Sequence, residues 1–177
     1  MSVLFEFPGR QPQIIFDGNS LTQQQFDNGY VPKTIELLGG GYLYYVAALG
    51  GWRTEQMITA GPTKIDPLYQ RQRIKNIVVA WEVTNDVGLG GANATQAYNN
   101  IVTYCTARRA AGFQVVVVTV LPIHQTTYPA FEAIRQTVNT NIRNNWATFA
   151  DAIADIGADS TIGDAGDEQN QTYYQVD

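Results

Sequence analysis

Histidine and cysteine each occur once in these 177 residues, and lysine only three times. Each scarcity removes a class of function. One cysteine, Cys105, closes no internal disulfide framework. It lies in the helical pattern "IVTYCTARRAAG", where a small buried core thiol is expected rather than a reactive one. With few lysines, a net charge of −5 and a pI near 4.7, the chain has no basic stripe for nucleic acid. The one arginine pair, Arg108-Arg109, is placed to complement the end of a helix rather than to grip phosphate. No apolar run approaches the ~18 residues of a membrane span. The N-terminal "MSVLFEFPGRQ" has neither a basic flank nor a long apolar core, so no secretory signal is visible and a cytoplasmic location is expected. Nor is there an internal repeat or a low-complexity linker, and residues 1–177 read as one domain.

What is present is a core. Hydrophobic residues make up 45% of the chain, enough to bury substantial apolar surface. Four runs stand out: "PQIIFDG", "YLYYVAALGG", "NIVVAWEVTND" and "FQVVVVTVLP". Uninterrupted β-branched runs bounded by turn residues suit strands buried on both faces of a parallel sheet. Helical stretches separate them. Thr22 to about Leu38 predicts a first helix, with Phe26, Ile35, Leu37 and Leu38 inward and a break near Asn28-Gly29 and Pro32. Thr54 to about Ile58 predicts a short helix before an irregular "AGPTKIDP". Ala92 to Ala111 is a clearer one, with Asn93 as cap and Gly112 at the exit. Pro129 to about Ala154 is the longest, its Phe131, Ile134, Val138, Ile142 and Trp146 spaced along one face. The remainder reads as a short strand or loop, then surface coil. Alternation of strand and helix predicts an α/β fold, a three-layer α/β/α sandwich on a flavodoxin-like parallel sheet.

In such sheets ligands sit beyond the carboxyl ends of the strands, where the strand order switches. Here the first strand exits into Gly18-Asn19-Ser20, the second into Gly50-Gly51 and the third into Thr84-Asn85-Asp86. Ser20 is the candidate nucleophile, with a helix N-terminus behind it to favour developing negative charge. Its alternative, shared with Asn19, is a helix cap. Asn85 offers an amide donor to an oxyanion, or else closes an Asx-turn. Gly51 brings a backbone N–H close to a substrate, or else is an ordinary turn glycine. His124, in "VLPIHQTTYP", leaves the fourth strand on the same rim, where a surface or substrate-contact role outweighs that of a base. Trp52 beside Gly51 reads as a packed aromatic or a sugar-stacking platform.

These pieces resemble the SGNH (GDSL-like) serine esterase and hydrolase superfamily. "FDGNSLT" is similar to its first block, with Gly18-Asn19-Ser20-Leu21 where Gly-Asp-Ser-Leu is usual. "LGGWRTEQM" resembles the second block, whose glycine is Gly51. "WEVTNDV" resembles the third, with Asn85-Asp86 matching and Val83 standing where a glycine is typical. "YYQVD" resembles the approach to the last block, Asp-x-x-His, with Asp177 as its aspartate. The resemblance implies a serine hydrolase acting on carboxylic esters, including O-acetyl or short acyl esters of carbohydrates. Ser20 attacks, the N–H groups of Ser20 and Gly51 and the Asn85 side chain hold the oxyanion, and Asp177 orients a histidine base. It implies no metal or organic cofactor. That histidine belongs three residues past Asp177, beyond this sequence, and a truncated reading frame is the expected explanation. The rival reading is a non-catalytic carbohydrate- or partner-binding module on the same fold. The sequence leaves oligomeric state open.

Overall fold

The computed structural model describes residues 11–23, 29–124 and 128–174. Its centre is a sheet of five parallel strands: β1 (Gln13–Gly18), β2 (Leu43–Val46), β3 (Asn76–Trp81), β4 (Gln114–Val118) and β5 (Ala152–Ala154). Their spatial order is β2-β1-β3-β4-β5. β1 is therefore the pivot, pairing with β2 on one side and β3 on the other, and every residue in it is buried. Burial on both faces is what an unbroken β-branched run allows, because alternate side chains need apolar cover on each side.

That cover differs between the faces. Ile15, Val78, Ala80, Val115 and Val117 meet α3 (Thr54–Lys64), α5 (Ala94–Ala110) and α6 (Phe131–Phe149) in the larger core. On the opposite face Ile14 and Phe16 pack with Val31 of α2 (Tyr30–Leu37). The chain is an α/β sandwich with a flavodoxin-like strand order. Each fully buried aliphatic side chain contributes ~1.5–3 kcal/mol relative to its exposed state, so the larger cluster carries most of the hydrophobic stabilisation.

Local signals set the best-formed helix. Asn93 caps α5: its side chain accepts from the Gln96 N–H at 3.0 Å while the Gln96 side chain accepts from the Asn93 N–H at 3.1 Å. Arg108 and Arg109 occupy its last turn. Arg108 is buried and pairs with Asp66 at 2.9 Å. Cys105 is fully buried in the same helix, and burial pushes its thiol well up from its ordinary range.

Three expected elements need comment. The first helix is interrupted at Gly29, as expected, leaving α1 (Ser20–Gln23) and α2; Phe26 lies outside the described residues. Pro32 sits within the first turn of α2, where its missing N–H costs no hydrogen bond. Leu37 and Leu38 face solvent, while Val31 and, partly buried as expected, Ile35 pack on the sheet. α3 runs on through Pro62 to Lys64, because the Ile65 N–H recovers the Gly61 carbonyl at 2.9 Å and closes the last turn. α6 stops at Phe149; the next residues are drawn into β5 by pairing with β4.

Candidate active site

The β1–β3 ladder ends with Gly18 opposite Trp81. Gly18 must be a glycine there: a Cβ would sit 2.2 Å from the Trp81 carbonyl oxygen, inside any permitted contact. Beyond this rung both strands turn into short helices, α1 and α4 (Thr84–Gly88).

Asn19 is the residue that caps α1, its Oδ1 accepting from the Leu21 N–H at 2.9 Å. That leaves Ser20 exposed at the helix start, and no group among the described residues hydrogen-bonds its hydroxyl. The competing cap reading therefore belongs to Asn19. Asn19 itself is buried, and its Nδ2 donates to Oε2 of Glu82.

The second loop closes on the first. The Leu49 N–H donates to the Gly18 carbonyl at 3.2 Å, and the Gly50 N–H to the Gln23 side chain at 2.5 Å. A Cβ on Gly50 would lie 3.7 Å from Cβ of Ser20. Gly51 follows in the left-handed region, φ +75°, with open space around it.

The third loop is tied to both others. The Asn85 N–H donates to Oε1 of Glu82 at 2.8 Å, and its side-chain Nδ2 donates to the Trp52 carbonyl at 2.9 Å. Asn85 thus reaches across to the second loop instead of closing its own turn. Asp86 accepts from the Thr54 N–H at 2.7 Å, so it receives the otherwise orphaned start of α3. Val83, at the position where the glycine was typical, has φ 122°.

Carboxyl groups around this rim sit in dry places. Glu82 is 1% exposed; burial and the Asp86 charge push its pKa up to about 8. Burial also raises Asp86, against the hydrogen bonds from Thr54 that lower it. Below, Asp17 is raised by burial; it accepts from the Tyr104 hydroxyl at 2.5 Å and the Gly18 N–H at 3.0 Å. Tyr30 completes the floor, edge-on to Trp81 at 5.2 Å and donating to Thr22 at 3.2 Å.

The structure thus brings the Ser20, Gly51 and Asn85 loops to one rim, while Asp177 lies outside the described residues. His124 is exposed after β4, and β3 stands between β4 and β1. Trp52 is half-buried against the larger core with the Lys64 ammonium 4.3 Å over its ring, which favours the packed role. Sequence reasoning missed Glu82. Its only signal was a carboxylate inside an apolar run. Among the described residues no helix is long and apolar enough to cross a membrane.

No protein-family model matches the chain, and no curated protein matches it in sequence. Solved structures do match. An acetyl xylan esterase, AlAXEase, is 15% identical, with 81% of this chain and 77% of that one covered at a TM-score of 0.62. A GDSL-like lipase from Bacteroides thetaiotaomicron is 19% identical over 82% of this chain and 68% of that one, TM-score 0.59. The psychrotrophic esterase EstA from Pseudoalteromonas sp., in a structure inhibited by monoethylphosphonate, is 15% identical over 82% and 77%, TM-score 0.58. With its 2-1-3-4-5 parallel sheet and three loops meeting past the strand ends, the chain has the fold of the SGNH, or GDSL-like, hydrolases.

Proposed function

We propose that residues 1–177 are one hydrolase domain that cleaves carboxylic esters through Ser20. The observation that carries this reading is the Asn85 side chain. A primary amide has two N–H bonds, and the Trp52 carbonyl takes one of them. The other is left for a ligand, on an amide whose orientation is already fixed. With the backbone N–H groups of Ser20 and Gly51 it makes a three-donor oxyanion site.

In the reaction, the Ser20 hydroxyl loses its proton to a histidine as its oxygen bonds the ester carbonyl carbon. The carbonyl oxygen becomes an oxyanion on the three donors. The tetrahedral intermediate collapses, the alcohol leaves with the proton from the histidine, and the acyl group stays on Ser20. Water then repeats the sequence and releases the acid. Asp177 orients the histidine, placed three residues beyond it. Short acyl esters of carbohydrates, O-acetyl groups among them, are the proposed substrates; the likeness to an acetyl xylan esterase supports that choice. The reaction needs no cofactor.

The test is hydrolysis of an activated acetyl ester by two chains. The 177-residue chain should turn over almost none, because a triad without its base loses several orders of magnitude. A chain extended to place His three residues after Asp177 should be active, and Ser20→Ala in it should abolish turnover. An extended chain inert on short acyl esters of several alcohols would overturn the esterase reading in favour of a binding module. His124→Ala should leave the extended chain's rate unchanged. His124 leaves a strand two places from β1, and strand spacings of about 4.8 Å already exceed proton-transfer reach.

A further inference from the structure

We infer that Glu82 is a positioning residue, a side-chain rung that fixes the turn carrying Ser20 against the turn carrying Asn85; the inference rests on the esterase reading for its kinetic consequence. The last backbone rung between β1 and β3 is Gly18 with Trp81. The next residue on each strand is Asn19 and Glu82. Their side chains meet where the backbones separate, so the ladder gains one more rung made of a carboxylate and an amide.

Every partner in this rung is committed in one direction. Asn19 cannot turn its amide over, because Oδ1 accepts the Leu21 N–H at 2.9 Å. Its Nδ2 must face Glu82. The other carboxylate oxygen takes the Asn85 backbone N–H at 2.8 Å, and a backbone N–H only donates. Both Glu82 oxygens therefore face donors, and an ionised carboxylate satisfies both. Asn19 and Glu82 are 2% and 1% exposed, so water does not substitute for a lost partner. The charge facing Glu82 is that of Asp86, on α4; Asn19, across the rung, is neutral. Glu82 thus holds at once the residue that sets the Ser20 turn and the backbone of the residue that offers the oxyanion donor. A side chain that merely filled this space would tolerate an isosteric amide.

Reciprocal substitution separates the two cases. Glu82→Gln turns an N–H₂ toward either Asn19 or the Asn85 N–H, donor against donor. Asn19→Asp sets two carboxylates face to face. Combined, they restore every bond with roles reversed: the introduced aspartate would accept from Leu21 and from the glutamine amide, whose oxygen accepts from Asn85. Measured on the His-extended chain with an activated acetyl ester, at a pH where Glu82 is ionised, each single substitution should lower kcat about ten- to a hundredfold with KM little changed. The double variant should recover to within about threefold of the parent, and its urea midpoint should exceed that of both singles. Full kcat in Glu82→Gln, or a double variant no better than the poorer single, overturns the inference. If the extended parent is itself inert, the esterase reading falls, and the urea midpoints of the four chains decide the rung alone: recovery supports it and additive loss overturns it.

Discussion

The side chain of Asn85 donates to the main-chain carbonyl of Trp52 at 2.9 Å, across 33 residues of sequence. This bond holds the amide in one orientation before any ligand arrives. Asn85→Ala in the His-extended chain should lower kcat about 100- to 1,000-fold while KM changes little, the result of losing a donor to the oxyanion. The cost in stability should be only ~1 kcal/mol, because one neutral hydrogen bond is lost. Steady-state kinetics beside a urea titration separates these two effects. A drop in stability without a drop in kcat would remove Asn85 from the proposed chemistry.

Gly18→Ala should be among the most damaging single-atom additions to this chain. The new methyl would lie 2.2 Å from the Trp81 carbonyl oxygen, and a backbone group in mid-sheet does not swing aside as a side chain does. The two central strands must separate where the Asn19–Glu82 contact begins. A loss of roughly 2–3 kcal/mol or more is expected from overpacking at a rigid site, read as a lowered urea midpoint at unchanged slope.

At Val83 the usual ranking of substitutions should invert. Its φ of 122° is costly for a β-branched residue, by about 1–3 kcal/mol, and costs glycine nothing. Val83→Ala keeps the strain and loses buried surface, since Val83 is 1% exposed. Val83→Gly loses the surface but releases the strain. The glycine variant should therefore be the more stable of the two, against the common order. Thermal melts of both variants check this; an alanine variant more stable than the glycine one would refute the strain argument.

Stability should fall as pH rises from about 4.5 to about 8. The Glu82 carboxyl is raised from 4.5 to about 8, so in this window the folded chain binds a proton that the unfolded chain has released. Its contribution is complete below the unfolded value and lost as pH passes the folded one, with a slope of up to about 1.4 kcal/mol per pH unit. Asp17 and Asp86, also raised, act in the same sense. Glu132 and Asp155, lowered chiefly by hydrogen bonds from Arg135 and Arg143, act the other way: their stabilisation is lost as pH falls through their depressed values. Glu82→Gln should flatten the slope between pH 5 and 8. Urea midpoints across that range, parent against variant, measure it.

The central strands were legible because burial on two faces favours an unbroken apolar run such as Val115–Val118, whereas β2, expected to be buried in the same way, lies at the sheet edge with Tyr44 and Tyr45 exposed. The α5 boundaries were legible because Asn93 and Gln96 cap the helix within four residues of each other. Where the deciding contact was distant, local signals failed. Leu37 and Leu38 are expected inward beside Ile35, yet only Ile35 joins Val31 against the sheet. The Ser20, Gly51 and Asn85 loops could be placed on one rim by strand order alone. Glu82 was harder to find, because its one local signal, a carboxylate inside an apolar run, does not say what the carboxylate meets. Its partner is 63 residues away.

That separation has a kinetic meaning. The Asn19–Glu82 and Asn85–Trp52 contacts close loops of 63 and 33 residues, and each closure must be repaid by packing that exists only once β1, β2 and β3 are side by side. No isolated strand–turn–helix unit contains a complete set of these bonds. Competence at the rim is therefore acquired late and all at once during refolding. Activity regained after dilution from urea should follow formation of the central sheet, with no fast phase that precedes it.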